Sequence, residues 1–135
     1  HQFIKRDNDS IAILGIESWG KPPFKQYGIL DSAIKGLTPS IFKILLSHNP
    51  SHWDVEIAGK NNIDLTLAGH THAMQIGINC GRIFWSPIKK MYPHWAGLYH
   101  EGAQYLYVNR GFGFLGFPGR IGMTPEITII QLKTE

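Results

Sequence analysis

Two histidines one residue apart, His70 and His72, follow the apolar segment Leu65-Thr66-Leu67-Ala68-Gly69. On an extended backbone, side chains at i and i+2 project to the same side, about 6.6 Å apart. Such imidazoles can converge on one metal or flank a pair of metals about 3.5–4 Å apart. A histidine pair of this kind is also an ordinary loop feature, so the motif alone decides little. A second segment, Phe42-Lys43-Ile44-Leu45-Leu46-Ser47-His48-Asn49-Pro50, repeats the pattern of apolar run, histidine and break. Its strand must end by Pro50, because proline cannot donate to a ladder. If the two strands are parallel neighbours, three imidazoles share one rim, at the carboxyl ends where open α/β sheets bind ligands.

The remaining elements must hold that rim in place. Gln2–Arg6 and Ser10–Ile16 read as strands joined by a hairpin at Asp7-Asn8-Asp9. Glu17–Phe24, with Gly20, Pro22 and Pro23, reads as irregular. Ile29, Leu30, Ala33, Ile34 and Leu37 fall on one helical face, with Gly36 and Pro39 marking its end. Ser51–Gly59 suits a short helix with Ser51 as N-cap, and Asn61-Asn62 turns the chain into the strand that reaches His70. Gln75–Asn79 reads as a further strand. The aromatic stretch Gly81–Ala96 reads as a long loop with a short helical piece, either a wall beside the site or a local aromatic core. Gly97–His100 and Gln104–Asn109 suit a hairpin, and Glu126–Leu132 a last strand. Between them, glycines at 111, 113, 116, 119 and 122 permit close backbone approach. They do not form a dinucleotide fingerprint, which needs a strand before and a helix after.

The 135 residues, 43% hydrophobic and 17% charged, amount to one globular unit with a core of its own. A net charge of +3 suits anionic substrates, yet the 13 basic residues form no run that calls for nucleic acid. Cys80 is alone, which excludes an internal disulfide and favours a reducing compartment. No apolar run approaches the roughly 20 residues of a membrane span, and residues 1–6 are not a signal peptide. These features predict a cytoplasmic location or the cytoplasmic face of a membrane.

Ser47-His48-Asn49-Pro50 followed by Asp64-Leu65-Thr66-Leu67-Ala68-Gly69-His70-Thr71-His72 closely resembles the C-terminal half of calcineurin-like metallophosphoesterases. The bacterial branch resembling the YkuE and YaeI phosphodiesterases is the nearer likeness. Tyr107-Val108-Asn109-Arg110-Gly111-Phe112-Gly113 and Pro125-Glu126-Ile127-Thr128-Ile129 look like that branch's closing strands. The family's Asp-x-His, Gly-Asp-x-x-Asp and Gly-Asn-His blocks have no match here. The expected fold class is therefore α/β, a β-sandwich-type metallophosphoesterase fold with a mixed sheet and flanking helices, truncated to its C-terminal half. Residues 1–135 are expected to be a single partial domain.

The resemblance implies hydrolysis of phosphate esters by hydroxide held between two divalent metal ions, drawn from Mn, Fe, Zn or Ni. His48 and His70 would ligate one ion and His72 the other. Arg120 and Gln75 would face the substrate, a small phosphate ester or a lipid headgroup. The missing N-terminal half of the same polypeptide would supply the remaining ligands and the general acid. Alone, the chain is expected to bind metal weakly, to turn over little and to self-associate through the face left bare. Relatives often carry Gly-Gly after the histidine pair, where this chain has Ala73-Met74; packing beneath the site is the expected role of Met74. His52, His94 and His100 are expected at surfaces or turns. Two other classes fit the same residues: a non-catalytic binding module on this scaffold, and a single-zinc three-histidine enzyme.

Overall fold

The computed structural model describes residues 1–133. Among the described residues alternating and continuous apolar runs give eight strands, six of which form one mixed sheet in the order β1-β2-β3-β4-β8-β7. They are β1 (Gln2–Arg6), β2 (Asp9–Gly15), β3 (Phe42–Leu46), β4 (Leu65–Ala68), β7 (Gly97–Glu101) and β8 (Gln104–Val108). The central strands β2, β3, β4 and β8 run parallel, and an antiparallel hairpin strand closes each edge. β5 (Ile78–Cys80) and β6 (Ile83–Trp85) form a separate antiparallel hairpin. The chain is thus mixed α/β, mostly sheet with few helices.

One sheet face carries the main core. Ala12, Leu14, Leu45, Ala68, Leu106 and Val108 meet Leu30, Ala33, Trp53, Ile57 and Ile63 there, all buried. On the opposite face Phe42, Leu46 and Tyr105 stay exposed. A smaller core joins Ala73, Ile88, Trp95, Ala96 and Met123.

Several local expectations change. The helix predicted over 29–37 is the single turn α1 (Leu30–Ile34). Its N-terminus has no side-chain cap, and Lys35 already leaves the helical region, so the turn does not propagate. Leu37 still packs against the core. Asn49, not Ser51, caps the next helical segment: its Oδ1 accepts from the Ser51 N–H at 2.9 Å, with Pro50 at the first helical position. That segment widens to a π-helical turn over Trp53–Ile57. The strand expected over Gln75–Asn79 starts only at Ile78. Glu126–Leu132 forms no ladder, although Glu126 and Thr128 turn inward while Ile127 and Ile129 face out. The alternation is present, but among the described residues no strand is paired with it.

Candidate metal centre

The register between parallel strands β3 and β4 sets the rim. Ile44 pairs with Leu65 and Leu46 with Leu67, so both strands end at one level. Beyond them the Gly69 N–H donates to the His48 carbonyl at 3.0 Å, carrying the pairing on to the first histidine. The His48 and His70 rings meet edge to face, with centroids 5.2 Å apart. The expected juxtaposition of the two strand ends is therefore present.

The histidine pair is not extended. His70, His72, Ala73, Met74 and Gln75 all have positive φ, between 49° and 66°. The chain makes a left-handed turn, a conformation that costs an L-residue roughly 1–2 kcal/mol. Surrounding hydrogen bonds hold it in place. Thr71 Oγ1 donates to the Trp95 carbonyl at 2.7 Å and accepts from the Ala73 N–H at 3.2 Å. Ser86 Oγ donates to the Ala73 carbonyl at 2.7 Å. Gln75, buried, donates to the carbonyls of Phe117 and Gly119 at 2.7 and 2.8 Å and accepts from the Leu115 N–H. Its amide thus ties the glycine-rich loop 111–122 to the histidine turn. At the foot of the loop, a Cβ added to Gly122 (φ 68°) would lie 1.9 Å from the Gly77 oxygen, so only glycine lets these backbones touch.

Ala73 and Met74 both hold a conformation that glycine would adopt without this penalty. Met74 does not pack beneath the site. It is about half exposed and lines the hollow beside His70 and His72. We expect Met74→Gly to raise unfolding stability by about 1 kcal/mol, as left-handed strain is relieved. Chemical denaturation at neutral pH checks this; a loss of stability would show that contacts of Met74 outweigh its strain.

The histidines lie in a neutralising environment. Burial, then the nearby His48 and His72, lower the pKa of His70. Burial, then Arg120 and His48, lower that of His72. Both effects favour the uncharged imidazole that a metal requires. His72 Nδ1 is buried with no hydrogen-bond partner. Gly111 adjoins it: a Cβ there would lie 3.6 Å from His72 Cε1 and 3.8 Å from Arg120 Nη2. Arg120 spends its Nη2 and Nε protons on the carbonyls of Arg110 and Gly113, leaving Nη1 buried and unpaired. Among the described residues no three His, Cys, Asp or Glu side chains form a group able to hold a metal ion. The donors present, imidazoles with one orphaned buried nitrogen and no carboxylate among them, fit part of a metal centre and not a whole one.

Sequence patterns missed two features. Tyr92 Oη lies 2.9 Å from His70 Nε2, delivered by the aromatic stretch 81–96. That stretch serves both roles considered for it, since Ile88, Trp95 and Ala96 form the smaller core while Met91 and Tyr92 reach the hollow. His52, expected at a surface or turn, is wholly buried between Ser47 Oγ at 2.9 Å and Glu56 Oε2 at 3.0 Å. The i,i+4 spacing of His52 and Glu56 was the available signal. His94 pairs with Asp54 at 2.6 Å.

Comparison with known proteins yields a consistent set of relatives. The chain is 36% identical over 106 residues to the uncharacterized metallophosphoesterase YkuE of Bacillus subtilis, covering 77% of this chain and 35% of that protein. It is 31% identical over 134 residues to a Bos taurus protein named transmembrane protein with metallophosphoesterase domain, covering 96% and 29% respectively. It is 33% identical over 91 residues to phosphodiesterase YaeI of Escherichia coli, covering 67% and 32%. The chain spans about a third of the length of these relatives. No family model matches it, and no solved structure does. Among the described residues no helix is long and apolar enough to cross a membrane. Two strand ends that bring histidines together, a Gly-His-Thr-His turn and these identities have one explanation: the chain belongs to the metallophosphoesterase family, and it resembles the C-terminal part of its members.

Proposed function

We propose that this chain supplies the histidine side of a dinuclear metal centre that hydrolyses phosphate esters. The edge-to-face pairing of His48 with His70, ring centroids 5.2 Å apart, together with a buried and unpartnered His72 Nδ1, supports this reading. His48 and His70 would hold one ion and His72 the other. The bridging carboxylate and general acid come from an N-terminal part outside these residues. Bound there, a metal pair would supply hydroxide at neutral pH and polarise the phosphoryl oxygens. The chain's own groups do the positioning. If His70 donates Nε2–H to the Tyr92 hydroxyl, Nδ1 keeps its lone pair for a metal. Arg120 adjoins His72 and keeps Nη1 unpaired, a donor that an anionic ester at the site would use. Gln75 holds the loop that carries Arg120.

Other features support a missing half. The second sheet face exposes Phe42, Leu46 and Tyr105, and among the described residues Glu126–Leu132 has no strand partner. The rest of a two-layer domain would cover both, and the bare chain would self-associate there. The test is hydrolysis of an aryl phosphodiester by the complete polypeptide that carries these residues. Manganese-dependent turnover abolished by chelator, and little turnover by residues 1–135 alone, is the expected result. Metal-independent turnover, or none in the complete polypeptide, would contradict the proposal.

Tyr92→Phe is expected to weaken metal binding about tenfold or more, the usual cost of losing the group that orients a ligating histidine. The melting temperature should stay nearly constant. Calorimetric titration of the complete polypeptide checks both, and an unchanged affinity would remove Tyr92 from the account.

A further inference from the structure

The hollow beside His70 and His72 is chemically two-sided. Its volume is about 290 Å³, and its lining includes the two histidines, Met74, Met91, Tyr92 and Leu115. Met74, Met91 and Leu115 are 48%, 60% and 73% exposed, a great deal of apolar surface to leave against water beside a polar site. Among the described residues no carboxylate lines the hollow. Lys89 and Lys90, in the turn just before Met91, are exposed, and Arg120 adjoins His72. The loop that delivers Leu115 also exposes Phe112, Phe114 and Phe117. The apolar character therefore continues outward from the hollow.

Met74 strengthens the case. It occupies a left-handed position (φ 55°) that glycine would fill without strain, and its side chain lines the hollow instead of packing beneath the turn. Backbone strain of this kind clusters at active sites and ligand clamps. Methionine is flexible and polarisable, suited to an alkyl chain with no fixed shape.

We propose that Met74, Met91 and Leu115 form a subsite for the apolar group of the ester, so that the substrates are amphiphilic: a phosphate ester bearing an alkyl or acyl chain. The phosphate lies toward the histidines and Arg120, and the chain lies along the methionine wall. Only the placement of the phosphate end rests on the phosphoesterase reading.

Methyl NMR tests the subsite without turnover. The chain's three methionines are Met74, Met91 and Met123, and Met123, 1% exposed, is an internal reference. The complete polypeptide, labelled at methionine methyls assigned through Met→Leu variants, is titrated with inorganic phosphate, butyl phosphate and octyl phosphate below its micelle concentration. Octyl phosphate should shift the Met74 and Met91 signals and leave Met123 in place. It should bind at least tenfold more tightly than butyl phosphate, since a buried methylene is worth about threefold to fourfold in affinity. Inorganic phosphate should move neither methionine. Met91→Ser should reduce the octyl-to-butyl ratio to about threefold or less.

Equal affinity for the two alkyl phosphates overturns the proposal. So do Met74 and Met91 signals that ignore octyl phosphate because another segment or a second copy already covers them. Octyl phosphate binding at the methionines without hydrolysis of any ester leaves the subsite standing and removes the enzymatic reading. Hydrolysis with no preference for chain length does the reverse.

Discussion

Glu126→Ala is expected to destabilise the chain by about 3–5 kcal/mol, the usual cost of removing one partner of a buried ion pair. Glu126 Oε2 accepts from Arg110 Nε at 2.6 Å, and the two side chains are 11% and 15% exposed. The same carboxylate accepts from the Arg110 backbone N–H, from Thr128 Oγ1 and from the Tyr107 hydroxyl. Without it, Arg110 keeps its charge in a largely dry place with Nη1 already unpaired. The extended segment 126–128 also loses its anchor to β8.

The pH dependence of that anchor has a defined sign. Burial opposes ionisation of Glu126, but its hydrogen bonds, those of Arg110 first, outweigh it and lower the carboxyl pKa from 4.5 to about 2. A folded-state pKa below the unfolded one gives stabilisation that is complete above the unfolded value. It fades as pH falls from about 5 toward 2 and amounts to about 2–3 kcal/mol at neutrality. Denaturation of wild type across this range should show the loss, and Glu126→Gln should flatten it. A wild-type curve that is level from pH 5 to 2 would contradict the assignment.

His70→Ala and His72→Ala, each made in the complete polypeptide, are expected to lower phosphoesterase kcat by more than about a hundredfold. Losing even the hydrogen-bond partner of a ligating group typically costs about 10–100-fold, and these histidines are placed as the ligands themselves. His70→Ala should also free the Tyr92 hydroxyl, now 2.9 Å from Nε2, and weaken one metal site while sparing the other. His72→Ala should spare the melting temperature, because Nδ1 has no protein hydrogen bond to lose. Steady-state kinetics with melting curves separate the two effects. Activity within threefold of wild type in either variant would contradict the ligand roles.

The sequence made the rim legible because β3 and β4 are short apolar runs whose ends are punctuated by Pro50 and Gly69. Such runs favour parallel pairing, which brings His48 against His70. The left-handed turn at 72–75 was not legible. Ala73 and Met74 lack the glycine signature of that conformation and adopt it because Thr71, Ser86 and Gln75 hold them there. Alternation over Glu126–Leu132 described which side chains turn inward, but a strand also requires a partner to complete its ladder. The burial of His52 depends on Trp19, 5.0 Å away ring to ring and 33 residues earlier, and on Ser47. No local pattern carries such tertiary contacts.

Anomalous diffraction from crystals of the complete polypeptide grown with manganese would locate the ions at the histidine rim. Two ions within about 4 Å of each other, one contacted by His48 and His70 and the other by His72, is the predicted result. A single ion bound by all three imidazoles, or ions that leave these residues without contact, would contradict it.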